Sequence, residues 1–208
     1  MIEARQRQCG NNLADASVCY REAHGVFSVR LYSRHSCASI VRRVRRANQW
    51  DVAQVLIQDE GQTRDLVLPD SRDAWTARRE ATEQLHLLFE KRVRSDVLPL
   101  VHDFWQVDLP HIIGTQLVRY QTGGHYVPHT DNDDGELANR YLTVLCYLND
   151  NFEGGGTDFP SIGFRMKPSA GTAVVFPSRF WHCAEPVISG EKLVLLTWLC
   201  GPPPLRWI

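Results

Sequence analysis

The second half of the chain, beyond Pro110, consists of short apolar runs separated by glycine-rich or acidic turns. Strands at such close spacing pair as antiparallel neighbours and bury one face against a second sheet. This half therefore predicts a double-sheet jelly roll, and it restricts the possible folds more than any other stretch does. The runs that we predict to be strands are 113–120, 140–148, 171–176 and 193–199.

The first half of the chain carries the helical patterns. Ser33 precedes a stretch from about Arg34 to Asn48 with helical periodicity, and serine is a favoured N-cap residue. A second helical pattern begins near Ala74 and is interrupted at Pro99, after which a short third helix is predicted. The apolar residues assigned to these last two helices are Leu85, Leu88, Phe89 and Val93, then Leu100, Val101, Phe104 and Trp105.

Strands and a loop are predicted between the helices. The segments 26–32 and 52–57 have the composition and alternation of strands. The segment from Gly61 to Asp73 is polar and contains Pro69 and Asp70, a pair typical of a turn, so we predict a loop there. Helices followed by closely spaced strands indicate an α+β fold class.

The chain is long enough for a single domain with a substantial core. It has 208 residues, of which 43% are hydrophobic. We predict one domain over 1–208, with the N-terminal strands and helices in 26–110 and the jelly-roll core in 111–202. Residues 1–25 show no clear period and are expected to be loosely held.

The charge balance gives no reason to expect nucleic acid or a membrane as a partner. The formal net charge is −1, which provides no long-range attraction to polyanions. The basic run from Arg42 to Arg46 is interpreted as the solvated face of a helix, because Ile40, Val41 and Val44 fall on its other face. No run of eighteen apolar residues is present, so no membrane span is predicted. Nothing in the sequence indicates an oligomeric state.

Cysteine usage favours a reducing compartment. The six cysteines are scattered, without a C-x-x-C pair or a zinc-site spacing. The first 25 residues carry charges throughout and lack the apolar stretch of a secretory signal. We therefore expect a cytoplasmic protein.

The triplet His129-Thr130-Asp131 is the strongest candidate for chemistry. In an extended segment, residues two apart point to the same side, so this imidazole and this carboxylate are aimed at one place. A distant histidine, His182, would complete a face of two histidines and one carboxylate. Such a face leaves the opposite coordination positions open and is typical of non-haem Fe(II) sites. The alternative for His182 is an ordinary core histidine between Trp181 and Cys183.

Further motifs surround the triplet in a defined order, and together they resemble a known family. In order and spacing, the series is similar to the catalytic domain of the prolyl 4-hydroxylase family of Fe(II)/2-oxoglutarate dioxygenases, from about residue 113 to 200. This resemblance implies a double-stranded β-helix with helices packed on one sheet. The motifs are Arg119–Asp131, Arg140–Asn149, Gly154–Pro160, Pro168–Gly171, Trp181-His182 and Gly190–Lys192.

The resemblance implies roles for nine residues. Fe(II) would be bound by His129, Asp131 and His182, with 2-oxoglutarate as cosubstrate, O2 as oxidant and ascorbate as an additional reductant. Lys192 stands where that family places the basic residue for the far carboxylate of 2-oxoglutarate, and a buried carboxylate without a cation is very costly. The remaining matches are Tyr120 and Thr157 at the cosubstrate, and Tyr126, Arg140 and Trp198 at the substrate mouth.

Arg140 has two interpretations of equal weight. Its planar guanidinium suits a substrate carboxylate or backbone carbonyl. The same group could instead pair with Asp133, Asp134 or Glu136 in the acidic loop that precedes it.

The sequence supports an enzyme and leaves one alternative from another class. As an Fe(II)/2-oxoglutarate dioxygenase, the protein would hydroxylate an unactivated C–H bond while converting 2-oxoglutarate to succinate and CO2. Its expected substrate is an amino-acid-like small molecule or a prolyl residue of a peptide. The alternative is a non-catalytic jelly-roll module that binds a metal or 2-oxoglutarate. An isomerase or a simple metal hydrolase would give no reason for Lys192.

Overall fold

The computed structural model describes residues 19–59, 62–133, 137–167 and 169–201. Predictions that concern residues 1–18, Asp134, Glu136, Pro168 and residue 202 therefore lie outside the described residues. Within these ranges the helices are α1 (Arg34–Ala47), α2 (Arg79–Arg92) and α3 (Leu98–Trp105). The strands are β1 (Cys19–Ala23), β2 (Val26–Arg30), β3 (Trp50–Val52), β4 (Val55–Asp59), β5 (Gln62–Leu66), β6 (Arg72–Asp73), β7 (Trp75–Ala77), β8 (His111–Tyr120), β9 (His125–His129), β10 (Arg140–Tyr147), β11 (Glu153–Gly154), β12 (Thr157–Phe159), β13 (Phe164–Met166), β14 (Thr172–Pro177), β15 (His182–Ala184), β16 (Val187–Ser189) and β17 (Lys192–Cys200).

Two antiparallel sheets form the body of the fold. Within the described residues the larger sheet has the strand order β1-β2-β14-β10-β17-β8-β7-β3, and the smaller one has the order β13-β12-β15-β9-β6. Side chains from both sheets meet in one apolar cluster that includes Val118, Val194, Phe159 and Met166. Apart from the consecutive pairs β1-β2, β7-β8 and β12-β13, neighbouring strands in each sheet are separated in the chain by other strands, which is the arrangement of a double-stranded β-helix. The predicted jelly roll is confirmed.

Strand β17 lies in the middle of the larger sheet and is buried on both faces. Its odd-numbered residues, such as Leu193 and Leu195, pack in the cluster shared with the helices. Its even-numbered residues, such as Val194 and Trp198, face the smaller sheet. This alternation follows from the two-residue period of a strand. It also directs Lys192 into the space between the sheets.

The helices cover the outer face of the larger sheet, as the sequence predicted. Val41 of α1, Phe89 of α2 and Val101 of α3 belong to one buried cluster with Leu117 and Leu195 of the sheet. A layer of helices removes this apolar face from water, which is the main stabilising term of such a layered fold.

The first helix begins where the sequence places it. The Ser33 hydroxyl accepts a hydrogen bond from the Ser36 N–H at 3.1 Å, as expected for an N-cap. Val41 and Val44 are buried while the intervening arginines are exposed, so the basic run is the solvated face of α1.

None of the helices in the described part of the chain is long and apolar enough to cross a membrane.

Three predictions for the first half of the chain are wrong. The segment predicted as a loop from Gly61 to Asp73 contains β5 and β6. The single strand predicted over 52–57 is divided into the end of β3 and the start of β4. Residues 19–23 are not loose but pair with β2. The polar strands β5 and β6 obtain backbone hydrogen bonds from β4 and β9, and hydrophobic periodicity gives no signal for such pairing.

The boundaries of the later helices also differ from the prediction. Trp75–Ala77 forms β7, which pairs with β3 and β8, so the second helix begins at Arg79 instead of Ala74. Leu88 does not belong to its buried face, since its side chain is 58% exposed. At Pro99 the chain stays helical, because a π-helical segment over Val93–Val97 leads into α3 and the proline occupies the first turn.

Candidate active site

Three potential metal ligands meet where two strands of the smaller sheet pair. His129 ends β9 and His182 begins β15, and their antiparallel pairing places the two residues opposite each other. Asp131 lies just beyond β9, where its N–H donates to the Ser178 carbonyl at 2.8 Å. Its carboxylate oxygens lie 3.6 Å from His129 Nε2 and 3.5 Å from His182 Nε2. One ligand atom from each residue lies within 4.8 Å of the others, so the structure brings the three predicted residues together.

Backbone carbonyls orient both imidazoles. His129 Nδ1 lies 2.8 Å from the Val127 carbonyl oxygen, and His182 Nδ1 lies 2.9 Å from that of Phe180. A carbonyl accepts only, so each Nδ1 carries the proton and each Nε2 presents its lone pair to the cavity. That is the tautomer a metal ligand requires.

The Asp131 carboxylate is held by the groups around it. The Thr143 hydroxyl donates to Asp131 Oδ2 at 2.7 Å and lies 3.0 Å from the Ser178 hydroxyl. Burial by itself raises the pKa of this carboxyl, but His182, His129 and the Thr143 hydroxyl together hold the pKa well below its usual range. The residue is therefore an anion at neutral pH.

The charge state of the second histidine also suits metal binding. Burial lowers the pKa of His182 to about 4, although Asp131 opposes the shift. Two imidazoles and one carboxylate on one side of a cavity form a donor set that fits Fe(II).

Lys192 is a buried cation without a counter-ion in the described part of the chain. It is 1% exposed, and its Nζ lies 4.7 Å and 5.7 Å from the ring centroids of Tyr120 and Tyr147. Burial lowers the pKa of Lys192 to about 7, while Cys183 and Glu185 act in the opposite direction. A buried ammonium is stable only beside an anion, so this position is suited to a carboxylate of a ligand.

The two predicted cosubstrate residues line the same cavity as Lys192. Tyr120 pairs with Lys192 across β8 and β17, and burial raises the pKa of its hydroxyl despite the nearby Arg72. The Thr157 hydroxyl lies 2.6 Å from the hydroxyl of Tyr147, a buried residue that the sequence analysis did not single out. Because residues of β10 alternate between faces, Tyr147 shares its face with Thr143, and this spacing could have identified both residues.

The three residues predicted at the substrate mouth line the same cavity, and two of them, Tyr126 and Arg140, are partly exposed. The Tyr126 ring stacks on the His129 imidazole with centroids 3.6 Å apart. The Arg140 guanidinium lies 3.6 Å from the Trp198 ring centroid. Gly114 has a φ of +66°, and a Cβ there would lie 2.6 Å from the Trp198 ring. No side chain fits at that position unless the tryptophan moves.

The contacts of the Arg140 guanidinium bear on its two interpretations. One of its terminal nitrogens donates to the Asp131 carbonyl oxygen at 3.4 Å, and its Nε has no partner among the described residues. Burial lowers the pKa of Arg140, while Asp131 and Asp133 raise it. Asp134 and Glu136, the other proposed partners, lie outside the described residues. The guanidinium thus lies over Trp198, and its buried Nε–H has no partner among the described residues.

All nine predicted site residues line one cavity of about 200 Å³. The sequence analysis missed part of its lining. Arg72 and Asp65 come from the segment that was predicted as a loop, and Thr143 comes from a predicted strand in which it was not singled out. A further contribution comes from Gln54 and Leu56, at the start of the β4–β5 hairpin.

Sequence comparisons agree with this geometry. Residues 115–200 match the family described as the 2OG-Fe(II) oxygenase superfamily. The chain is 33% identical over 129 residues to prolyl 4-hydroxylase subunit alpha-1 of Gallus gallus, covering 53% of this chain and 25% of that protein. It is 33% identical over 108 residues to a PKHD-type hydroxylase of Synechococcus, covering 49% of this chain and 47% of that protein. The chain therefore spans about a quarter to a half of the length of these curated relatives.

Solved structures share the fold. A prolyl-4-hydroxylase of Pseudomonas putida superimposes with a TM-score of 0.62 at 19% identity, covering 86% of this chain and 93% of that one. A prolyl hydroxylase of Trichoplax adhaerens, solved with a hypoxia inducible factor peptide fragment, gives 0.64 at 18% identity, covering 85% and 83%. At these identities the likeness establishes the double-stranded β-helix.

Proposed function

We propose that this chain, whose residues 115–200 match the 2OG-Fe(II) oxygenase superfamily, is an Fe(II)/2-oxoglutarate-dependent dioxygenase that hydroxylates an unactivated C–H bond. The observation that supports the proposal is one cavity that holds both a convergent His-Asp-His cluster and a buried lysine without a counter-ion. The reaction consumes the substrate, 2-oxoglutarate and O2, and yields the alcohol, succinate and CO2. One oxygen atom of O2 enters the alcohol and the other enters succinate.

In this proposal His129, Asp131 and His182 hold the Fe(II), which supplies the activation of O2 when bound. The protein contributes orientation. Carbonyls of Val127 and Phe180 fix the two imidazoles, so that both Nε2 lone pairs point at one place. All three ligands lie on one side, which leaves the opposite side of the site for the cosubstrate and for the oxidant.

Lys192 receives the far carboxylate of 2-oxoglutarate. Its burial between Tyr120 and Tyr147 excludes water, so the ion pair forms in a medium that screens charge weakly. The hydroxyls of Tyr120 and Thr157 lie along the same cavity and are donors for carboxylate oxygens. The cosubstrate is thus bound at both of its ends.

Tyr126, Arg140 and Trp198 position the substrate at the outer part of the cavity. We propose an amino-acid-like small molecule or a prolyl residue as the substrate. The relatives that carry prolyl hydroxylase names support a prolyl residue, and the cavity volume of about 200 Å³ supports a small molecule. We also propose a cytoplasmic location, which is supported by the thiols of Cys37, Cys146, Cys183 and Cys200 that form no disulfide in the described part of the chain.

Succinate release tests the proposal against the non-catalytic alternative. The purified protein should release succinate from 2-oxoglutarate only with Fe(II) and O2 present, whereas His182→Ala should release none. The matched control is His102→Ala, which removes an exposed histidine of α3 far from the cavity. Tight binding of 2-oxoglutarate without succinate release, over a broad substrate panel, would favour the binding module.

A further inference from the structure

Arg72 is a cavity residue whose role no part of the sequence analysis anticipated. It lies on β6, which pairs with β9 so that Arg72 is opposite Tyr126. Its guanidinium carbon lies 4.9 Å from the Tyr126 ring centroid, and that ring stacks on His129. Only one aromatic ring therefore separates Arg72 from a candidate metal ligand, on the outer side of the cavity.

The charge of Arg72 has no counter-ion among the described residues. The residue is 9% exposed, and one terminal nitrogen donates to the Gln54 carbonyl oxygen at 2.9 Å. The guanidinium also donates a hydrogen bond to the Tyr120 hydroxyl. Its Nε is buried without a partner, and no carboxylate of the described residues forms an ion pair with it. Asp65 lines the same cavity but makes no such contact. A buried cation with an unpaired N–H is costly unless a ligand supplies the acceptor.

Of the cations that line the cavity, Lys192 and Arg72 are the two that are more than nine-tenths buried, and neither forms an ion pair with a described residue. Arg140 also lines the cavity but is only partly buried. In the proposed function 2-oxoglutarate has two carboxylates. One binds the metal with the adjacent 2-oxo group, and the other pairs with Lys192. Neither is left for Arg72, so the second cation requires a different anion.

We propose that the substrate carries a carboxylate and that Arg72 binds it. This inference rests on the proposed function and narrows its substrate class to carboxylate-bearing, amino-acid-like molecules. The planar guanidinium of Arg72 carries its N–H donors in a fixed fork, and that geometry suits a carboxylate better than a single carbonyl oxygen. Tyr126, between Arg72 and His129, keeps the carboxylate away from the metal and leaves the carbon chain of the substrate to reach it.

The first test compares acids with their amides on the iron-loaded wild-type protein. The probes are the proteinogenic L-amino acids, each paired with its primary carboxamide, beginning with L-proline and L-prolinamide. At least one acid should raise succinate release above the substrate-free rate, and its kcat/KM should exceed that of the amide by about thirtyfold or more. Amides that match their acids would overturn the inference, as would a panel in which no acid stimulates release.

The second test changes the arginine. Arg72→Gln should lower kcat/KM about thirtyfold for the acid and far less for its amide. The preference of the enzyme for the acid over the amide should therefore be lost. Arg72→Lys should recover part of the loss because it keeps the charge, and it serves in place of the glutamine variant should that variant not fold. The matched control is Arg78→Gln, which removes an exposed arginine paired only with Asp51. That control should behave as the wild type.

A binding measurement distinguishes recognition of the substrate by Arg72 from a purely structural role of that residue. Calorimetric titration of the best acid into the anaerobic protein, loaded with Fe(II) and 2-oxoglutarate, should show the same weakening in Arg72→Gln as kcat/KM does. Equal losses for acid and amide would mean that Arg72 only positions Tyr126, and the inference would be wrong. Complete absence of succinate release from the wild type would instead contradict the proposed function itself.

Discussion

The inner and outer ends of the cavity each contain a buried cation, but different parts of the fold supply them. Lys192 begins β17, in the middle of the larger sheet and inside the stretch that matches the oxygenase superfamily. Arg72 lies on β6, the edge strand of the smaller sheet and outside that stretch. The cation that would bind the cosubstrate thus lies on a central strand, and the cation proposed to bind the substrate lies on an edge strand.

This difference has a structural reason. A central strand has neighbours on both sides and both faces, so a substitution there disturbs several contacts. An edge strand such as β6 pairs on one side only, and the hairpin before it contributes exposed residues such as Leu56. Sequence change is tolerated at such positions, and binding specificity is commonly located in them. The predictions below test this division, from the largest expected effect to the smallest.

Loss of a metal ligand should abolish activity. Asp131→Ala and His182→Ala each remove one of three converging donors, and no other described carboxylate or histidine lies in that cluster. Fe(II)-dependent succinate release should fall below detection, while far-UV circular dichroism remains that of the folded protein. Asp103→Ala, at an exposed position of α3, is the control. Iron-dependent turnover in either ligand variant would disprove the assignment.

Lys192→Ala should affect only the inner end of the cavity, where it should weaken the binding of 2-oxoglutarate. The substitution leaves the far carboxylate of 2-oxoglutarate buried and unpaired, at a cost of about 3–5 kcal/mol, which corresponds to a hundredfold or greater loss of affinity. Titration of 2-oxoglutarate into the iron-loaded variant measures this loss, and the iron content should barely change. The control is Lys91→Ala, an exposed lysine of α2. Unchanged affinity would mean that another cation binds the carboxylate, and Arg140 and Arg72, which line the same cavity, are the first to examine.

The affinity for 2-oxoglutarate should fall as pH rises above about 7. In the ligand-free protein burial lowers the pKa of Lys192 to about 7, and a carboxylate beside the ammonium raises the pKa again. Binding above that pH therefore takes up a proton, and affinity should fall by up to about tenfold per pH unit. Calorimetry in buffers of different ionisation enthalpy measures the proton uptake. Lys192→Arg should remove the pH slope, because a guanidinium stays charged over this range.

Substitutions at the outer end should change substrate use more than cosubstrate use. Tyr126→Ala, Arg140→Ala and Trp198→Ala each remove a side chain that lines the mouth. We expect substrate-stimulated succinate release to fall about tenfold or more, and substrate-independent release to fall less. Tyr141→Ala is the control, since this neighbour of Arg140 is exposed and does not line the cavity. Equal loss of both activities would place these residues at the cosubstrate.

Some parts of the fold and site could be predicted because their causes are local. Ser33 is followed by a sequence with helical period, and α1 begins directly after it. The apolar runs beyond Pro110 became β8, β10, β14 and β17 with small shifts of their ends. His129 and Asp131 are two residues apart, so their shared direction is a property of the chain itself.

The convergence of the distant site residues depended on pairing between strands. His182 meets His129 because β15 pairs with β9 in one register, and a shift of one residue would turn the histidine to the other face. The resemblance to a known family supplied that information where periodicity could not. The resemblance did not extend to the segment Gly61–Asp73, so β5, β6 and the role of Arg72 were not predicted.

The sequence by itself determined the helix after Ser33, the strand-rich half beyond Pro110 and the placement of His129 beside Asp131. The tertiary structure decided which polar segments became edge strands and which cations were left without a counter-ion. The physical reason is that periodicity and capping act over a few residues. Backbone pairing at β5 and β6, and the burial of Lys192 and Arg72, depend on partners far away in the chain.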